Sequence, residues 1–244
     1  HAGGRGFESR LSRHFFPRVS GNPPISMTQS IDVSALRKDY SEKGLHRKDL
    51  LPDPIDQFRV WFDQAVQVQL PEPNAMVLST VDAEHQPDSR TVLLKAFDRK
   101  GFVFFTNYES NKAHHIASNP SVSLCFPWFP MERQVIIRGT AARVSTAQSL
   151  KYFLSRPFGN RIGAWVSTQS KVISSRSLLE AKLKEMEQKF SNGEVPLPSF
   201  WGGYVVEPAS VEFWQGGHNR LHDRFRYQKT GASGNTWQID RLAP

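Results

Sequence analysis

This 244-residue chain carries one cysteine, Cys125, which excludes an internal disulfide framework and a CxxC pair for metal or redox work. A lone thiol suits a reducing compartment. Cys125 falls in the alternating run Ser121-Val122-Ser123-Leu124-Cys125-Phe126, which reads as a packed strand position rather than a reactive group. No apolar run approaches the length that spans a bilayer. Three familiar chemistries lack their motifs: no GxGxxG follows a strand, and there is no GxxxxGK[ST] phosphate loop and no GxSxG nucleophile turn. Metal-ligand spacing is missing too. His114 and His115 are adjacent, so a helix would aim them about 100° apart, and both read as solvated surface. Dense lysine or arginine blocks are also lacking, which weakens the nucleic-acid reading that a net charge of +8 invites.

What is present is a globular composition, 39% hydrophobic and 22% charged, long enough to bury a substantial core. Residues 1–26 stand apart. They hold four arginines and one acid, which is +3 of the +8, and end in Gly21-Asn22-Pro23-Pro24 before Met27. We expect a disordered extension there, ahead of a start at Met27, and a cytoplasmic protein. The Arg- and Ser-rich, acid-poor composition leaves a transit peptide as the alternative. Residues 27–52, with Arg37, Lys38, Arg47 and Lys48, read as a mobile basic arm containing one helical turn. Residues 53–244 show no repeat and no linker, so they read as one domain.

Within that domain Asp53-Pro54 supplies an N-cap and a first-turn proline. Ile55, Phe58, Phe62, Ala65 and Val66 follow at helical spacing, predicting a helix over 54–68. Strands are predicted at 75–81, 89–97, 102–106, 122–128 and 133–144, with a short helix capped by Ser110 between the third and fourth. Ser145 to Gln148 has capping-box form and opens another helix. A further helix near 175–190 aligns Leu178, Leu179, Leu183, Met186 and Phe190. The chain ends in strands at 203–206, 211–215, 223–228 and 237–241. Consecutive strands joined by short turns argue for an antiparallel barrel or sandwich rather than a doubly wound sheet.

The densest chemistry lies in Phe213 to Arg224, FWQGGHNRLHDR. Trp214, Arg220, His222 and Arg224 surround Gly216-Gly217, a mix of aromatic plane, fixed cations and imidazole that suits a flat phosphorylated anion. The competing reading is a twisted hairpin with a solvated basic edge. Ser110 and Lys112 sit at a helix N-terminus, where free N–H groups favour phosphate. Gln134, Gln169 and Ser170 are uncharged groups able to bond a heteroaromatic edge. Arg90 and Lys95, five apart, would face opposite sides of a regular strand.

Taken together, SRTVLLK (89–95), FFTNYESNKA (104–113), ERQV (132–135), YFLSRP (152–157), IGAWVSTQS (162–170), PSFWGGY (198–204) and EFWQGGHNRLHDR (212–224), with the terminal IDRLAP, carry a likeness. From about Arg37 to Pro244 the chain resembles the pyridoxine (pyridoxamine) 5′-phosphate oxidase family. The resemblance implies a mainly β, antiparallel FMN-binding split β-barrel with flanking helices, working as a homodimer with each flavin between subunits. It implies FMN contacts from Arg90, Thr91, Val92, Leu93, Leu94, Lys95, Phe105, Thr106, Asn111, Lys112, Gln134, Gln169, Ser170, Trp214 and Arg224. Substrate contacts would come from Lys95, Tyr152, Arg156, Asn160, Arg220, Leu221 and His222, with Arg37 and Tyr40 closing over from the arm. Arg220 and His222 would be the catalytic pair, and no metal is implied. The implied reaction oxidises pyridoxine or pyridoxamine 5′-phosphate with O2 to pyridoxal 5′-phosphate and H2O2, by hydride transfer from C4′ to flavin N5. Asn111 stands where the family commonly has arginine, and Asn160 where it commonly has serine. A split-barrel flavin reductase, or a non-catalytic carrier of FMN or pyridoxal phosphate, is the alternative; the Arg156 segment and Arg220-Leu221-His222 argue against the reductase.

Overall fold

The computed structural model describes residue 40, residues 44–230 and residues 236–244, so the expectations for residues 1–26 and for Arg37 lie outside the described residues. Among the described residues nine strands form one antiparallel sheet: β1 (Ala75–Val81), β2 (Pro87–Leu93), β3 (Ala96–Asp98), β4 (Gly101–Asn107), β5 (Ser121–Trp128), β6 (Arg133–Arg143), β7 (Trp201–Gln215), β8 (Asp223–Thr230) and β9 (Thr236–Leu242). The order is β2-β1-β5-β6-β7-β4-β3, with β8 added to β7 and β9 to β8. The sheet curls into a half-barrel, the split-barrel form of the expected mainly β class.

Two departures from the sequence expectation shape the site. The residues predicted as two strands at 203–206 and 211–215 form one strand, β7. Tyr204 to Gln215 pairs with β6 along one edge, while the other edge of the strand pairs first with β4 and then with β8. Pro208 lies at the hand-over, where a missing N–H costs least. Opposite it the β6 ladder shifts register at Arg138/Gly139, and a Cβ on Gly139 would sit 2.0 Å from the Glu207 carbonyl oxygen. Only glycine allows that approach. Conversely, the single strand predicted over 89–97 is broken. β2 ends at Leu93, Leu94 buries its side chain in the core, and the Lys95 N–H donates to Val103 O at 2.8 Å.

Five helices of the described residues flank the sheet: α1 (Pro54–Gln67), α2 (Asn111–Ser118), α3 (Thr146–Ser155), α4 (Phe158–Val166) and α5 (Arg176–Lys189). Asp53 accepts from the Ile55 N–H at 2.8 Å, and Ser145 from the Gln148 N–H at 3.1 Å, so two of the three predicted caps form, Ser110 being the exception. α1 lays Ile55, Phe58, Trp61 and Ala65 into the barrel core; Val66, assigned to that face from spacing, is 50% exposed and Trp61 takes the inward place. Phe58 is fully buried among Phe97, Phe102, Phe126 and Trp128, so truncating it to alanine would cost roughly 3–5 kcal/mol. In α5, Met186 and Phe190 are buried but Leu178 is exposed. α4 is an element the sequence reading did not contain.

A second apolar cluster, Phe153, Ile162, Val166, Met186, Phe190 and Trp201, joins α3, α4 and α5 to the start of β7. Cys125 is half-buried in β5, and burial pushes its thiol pKa up, as a packed strand position requires. The predicted helical turn of the arm is a 3-10 turn at Arg47–Asp49, flanked by buried Leu45 and Leu50. Among the described residues no helix is long and apolar enough to cross a membrane.

Candidate active site

The break after β2 opens a cavity. Between the β2 edge, the N-terminus of α2, and helices α3 and α4 lies a space of about 790 Å³, within the size range of small-molecule sites. Its wall brings together Arg90, Thr91, Val92, Leu93, Lys95, Phe105, Thr106, Asn111, Lys112, Tyr152, Arg156, Asn160, Gln169 and Ser170. Fourteen separately predicted residues thus share one cavity. Arg90 and Lys95 are among them, against the opposite-sides expectation, because the chain leaves the strand between them and strand parity no longer applies.

Four cations, Arg90, Lys95, Lys112 and Arg156, face this space with a single carboxylate, Asp88. Lys112 is only 8% exposed; its Nζ donates to Gln169 Oε1 at 2.8 Å and to Ser110 Oγ at 3.1 Å. Burial, and then the positive charge of Arg90, push its pKa down to about 8, with Asp88 opposing. Ser110 occupies the N-cap position of α2 but spends its hydroxyl proton on Asn107 O at 2.7 Å, so its side chain does not cap the helix. The Asn111 N–H instead reaches Ser170 Oγ at 3.3 Å, and Ser170 holds a left-handed φ of 70°. Thr106 Oγ1 donates to the same Gln169 oxygen at 3.1 Å.

On the same cavity wall Phe105 stacks on Tyr152 with centroids 4.0 Å apart, and both lie nearly parallel to Trp201. The Arg156 guanidinium sits 4.8 Å over the Trp201 ring. Its Nη1 is buried without a hydrogen-bond partner, and burial lowers its pKa. An orphaned guanidinium proton on a cavity wall is a place for an anion.

The remaining predicted residues gather elsewhere. Gln134, Trp214 and Arg224 form one cross-strand row over β6, β7 and β8. Tyr40 meets Trp214 and His222 edge-on at 5.7 and 5.5 Å, and a Cβ on Gly216 would strike the Tyr40 ring at 2.6 Å. The Gly217 N–H donates to His222 Nδ1 at 3.2 Å, so a neutral His222 carries its proton on Nε2. Arg224 is held by buried Glu212 at 2.8 Å and by Ala243 O at 2.9 Å. Arg220 and Leu221 are exposed, and Asn219 and Arg220 both adopt left-handed backbone, with φ of 52° and 62°. Leu94 of the predicted run is buried in the core and does not line the cavity. Sequence reasoning missed Asp88, Asn107, Gly159, Gly163, Ser167 and Trp201 on the cavity wall. The i, i+4 glycines of α4 were the available signal for a face kept open. His115 was misread as well: its Nδ1 lies 3.0 Å from Thr80 Oγ1 rather than in solvent.

A curled antiparallel half-barrel with a cationic cavity at its broken edge defines the split-barrel class, an FMN-binding fold. Two family models match the chain: pyridoxamine 5′-phosphate oxidase over residues 62–190, and the pyridoxine 5′-phosphate oxidase C-terminal dimerisation region over residues 201–244. A pyridoxine/pyridoxamine 5′-phosphate oxidase of Crocosphaera subtropica is 60% identical over 214 residues, covering 88% of this chain and 100% of that protein. Its counterpart in Prochlorococcus marinus is 58% identical, over 87% of this chain and 96% of the relative. Among solved structures, PhzG from Burkholderia lata, in complex with tetrahydrophenazine-1-carboxylic acid, superposes with a TM-score of 0.77 at 27% identity, covering 84% of this chain and 100% of that one. The chain belongs to the pyridoxine/pyridoxamine 5′-phosphate oxidase family.

Proposed function

We propose that the chain binds FMN in the cavity between β2 and α2 and oxidises pyridoxine and pyridoxamine 5′-phosphates to pyridoxal 5′-phosphate. The single observation that carries this reading is the wall itself: one cavity has two sets of anion donors, carried by different elements. Arg90, Lys112 and the start of α2 make one set; Tyr152, Arg156 and Asn160 make the other. A cofactor phosphate and a substrate phosphate would need two such places. The residues fit FMN. Buried Lys112 and half-buried Arg90 suit its phosphate, the amide of Gln169 and hydroxyl of Ser170 suit a polar edge, and β2 keeps an edge free of ladder partners among the described residues. That free edge explains why a run from Arg90 to Leu93, rather than alternate residues, would serve the cofactor through its main chain.

When bound, FMN supplies the two-electron chemistry and passes the electrons on to O2, yielding H2O2. The chain's own groups bind and orient. Lys95, Tyr152, Arg156 and Asn160 would hold the substrate phosphate, each charge-assisted bond contributing about 1.5–3 kcal/mol. Arg220 and His222 would flank the pyridine ring, with the His222 proton held at Nε2 by the Gly217 bond. Alignment alone supplies on the order of 7–11 kcal/mol in favourable cases.

The division of the expected cofactor-binding residues between this cavity and the Trp214 row also argues for a homodimer. Trp201 lines the cavity while Trp214 lies thirteen residues further along β7, on the order of 40 Å of strand contour. Two copies about a twofold axis would bring the Trp214 end of one to the cavity of the other, in keeping with the match of residues 201–244 to a dimerisation region. The test is to purify the protein, record its flavin spectrum and mass in solution, and follow peroxide from pyridoxine 5′-phosphate under air. Yellow dimer that releases peroxide is expected. Flavin-loaded protein inert toward both vitamers would leave a carrier, and NAD(P)H consumption without vitamer oxidation would leave a reductase.

A further inference from the structure

Arg90 is held from behind by a path that crosses three elements. Its Nη1 donates to Thr80 Oγ1 at 2.7 Å and to Leu78 O at 3.2 Å, and its Nη2 pairs with the Asp88 carboxylate. Thr80 is 1% exposed, so its hydroxyl has no bulk water to turn to. That oxygen already accepts from Arg90, and its single proton needs an acceptor. His115 Nδ1, 3.0 Å away, provides one. Neutral His115 then carries its own proton on Nε2.

Each link sits on a different element: Arg90 on β2, Thr80 on β1, His115 on α2. α2 also bears Lys112, whose depressed pKa has Arg90 as its second cause. The path therefore ties the strand cation to the helix that carries the other half of the anion-binding wall. Its neighbour His114 is exposed, so the adjacent histidines divide into a surface residue and a residue with an inward partner.

We propose that His115 is a positioning residue for the cofactor phosphate, acting through the Thr80 hydroxyl on the Arg90 guanidinium. The proposal rests on the reading of this cavity as the FMN site. His115 touches neither cofactor nor substrate. It fixes the direction of one hydroxyl proton, and so leaves the Thr80 lone pair aimed at Arg90. A guanidinium fixed before the ligand arrives loses less freedom on binding than one that must be ordered by it.

The test is the dissociation constant for FMN, read from flavin fluorescence quenching as flavin-stripped full-length protein is titrated. His115→Leu removes the acceptor and Thr80→Val removes the hydroxyl; each should weaken FMN by about five- to tenfold, the size of one lost hydrogen bond. His115→Asn, which can place its side-chain oxygen near the lost Nδ1, and Thr80→Ser should both return close to the parental value. The double variant Thr80→Val/His115→Leu should be no weaker than either single change, since both cut the same path. Parental affinity in His115→Leu, or single effects that multiply in the double variant, would overturn the proposal. Should His115→Leu fail to fold by circular dichroism, Thr80→Val against Thr80→Ser carries the same comparison. A parent protein that takes up no FMN would sink the reading of the cavity and this proposal with it. A parent that binds FMN while His115→Leu binds equally well would sink the proposal alone.

Discussion

Replacing Lys112 by methionine should make the flavin-free protein more stable and its cofactor affinity worse. The ammonium is 8% exposed, and its pKa is pushed down to about 8 from 10.5, first by burial and then by Arg90. At pH 7 it is nonetheless mostly charged, and a shift of that size corresponds to roughly 3 kcal/mol held against folding. Methionine keeps much of the length and removes the charge, but also removes the bonds to Gln169 and Ser110, worth about 1 kcal/mol each. A net gain of roughly 1 kcal/mol remains. The sign with pH follows from linkage: between pH 8 and 10.5 the unfolded chain binds more protons than the folded one, so the parent gains stability as pH rises through that window. The variant lacks this rise. FMN behaves oppositely, because its phosphate favours the charged lysine and draws a proton onto it. Parental affinity should therefore fall above about pH 8, and Lys112→Met should lose about 1.5–3 kcal/mol of binding at pH 7. The assay is urea unfolding of flavin-free protein and FMN titration from pH 6.5 to 10, parent against variant. A variant with parental affinity, or a parent whose affinity ignores pH above 8, would refute the reasoning.

Arg156→Ala removes a guanidinium whose Nη1 is buried without a hydrogen-bond partner; KM for pyridoxine 5′-phosphate should rise about tenfold or more while FMN binding stays within twofold. Arg220→Ala should lower turnover far more than flavin content, and parental oxidation rates in that variant would remove Arg220 from its assigned role. Asn111→Arg puts a cation at the exposed first turn of α2 beside Ser170. It costs about 0.3–1 kcal/mol against the helix dipole but gains a charged phosphate partner, so FMN should bind about fivefold tighter by titration. An unchanged or weaker dissociation constant would place the cofactor phosphate away from α2.

The sequence by itself determined the elements whose causes are local. Asp53-Pro54 and Ser145 to Gln148 start their helices by side-chain caps within three residues, β1 and β5 alternate between turns, and β4 is a short apolar run between turns. The composition of the site was legible for the same reason: phosphate donors and aromatic planes are residue types, and they stand in recognisable runs. Tertiary structure decided everything that depends on a remote partner. β7 is one strand because β6 runs beside it past Pro208, although the sequence predicts two strands, 203–206 and 211–215, on either side of that proline. α4 forms despite Gly159 and Gly163, since Ile162, Ala164 and Val166 pack into the second apolar cluster and leave the glycines facing the cavity. Arg90 and Lys95 share a wall only because Leu94 is drawn into the core between them, handing the chain from the β1 ladder to β4. His115 gained a role only when folding set Thr80 opposite it. Periodicity tells which face a residue occupies while an element lasts. Where the element stops, and what then stands across from it, is fixed by burial and by pairing between residues far apart in the chain.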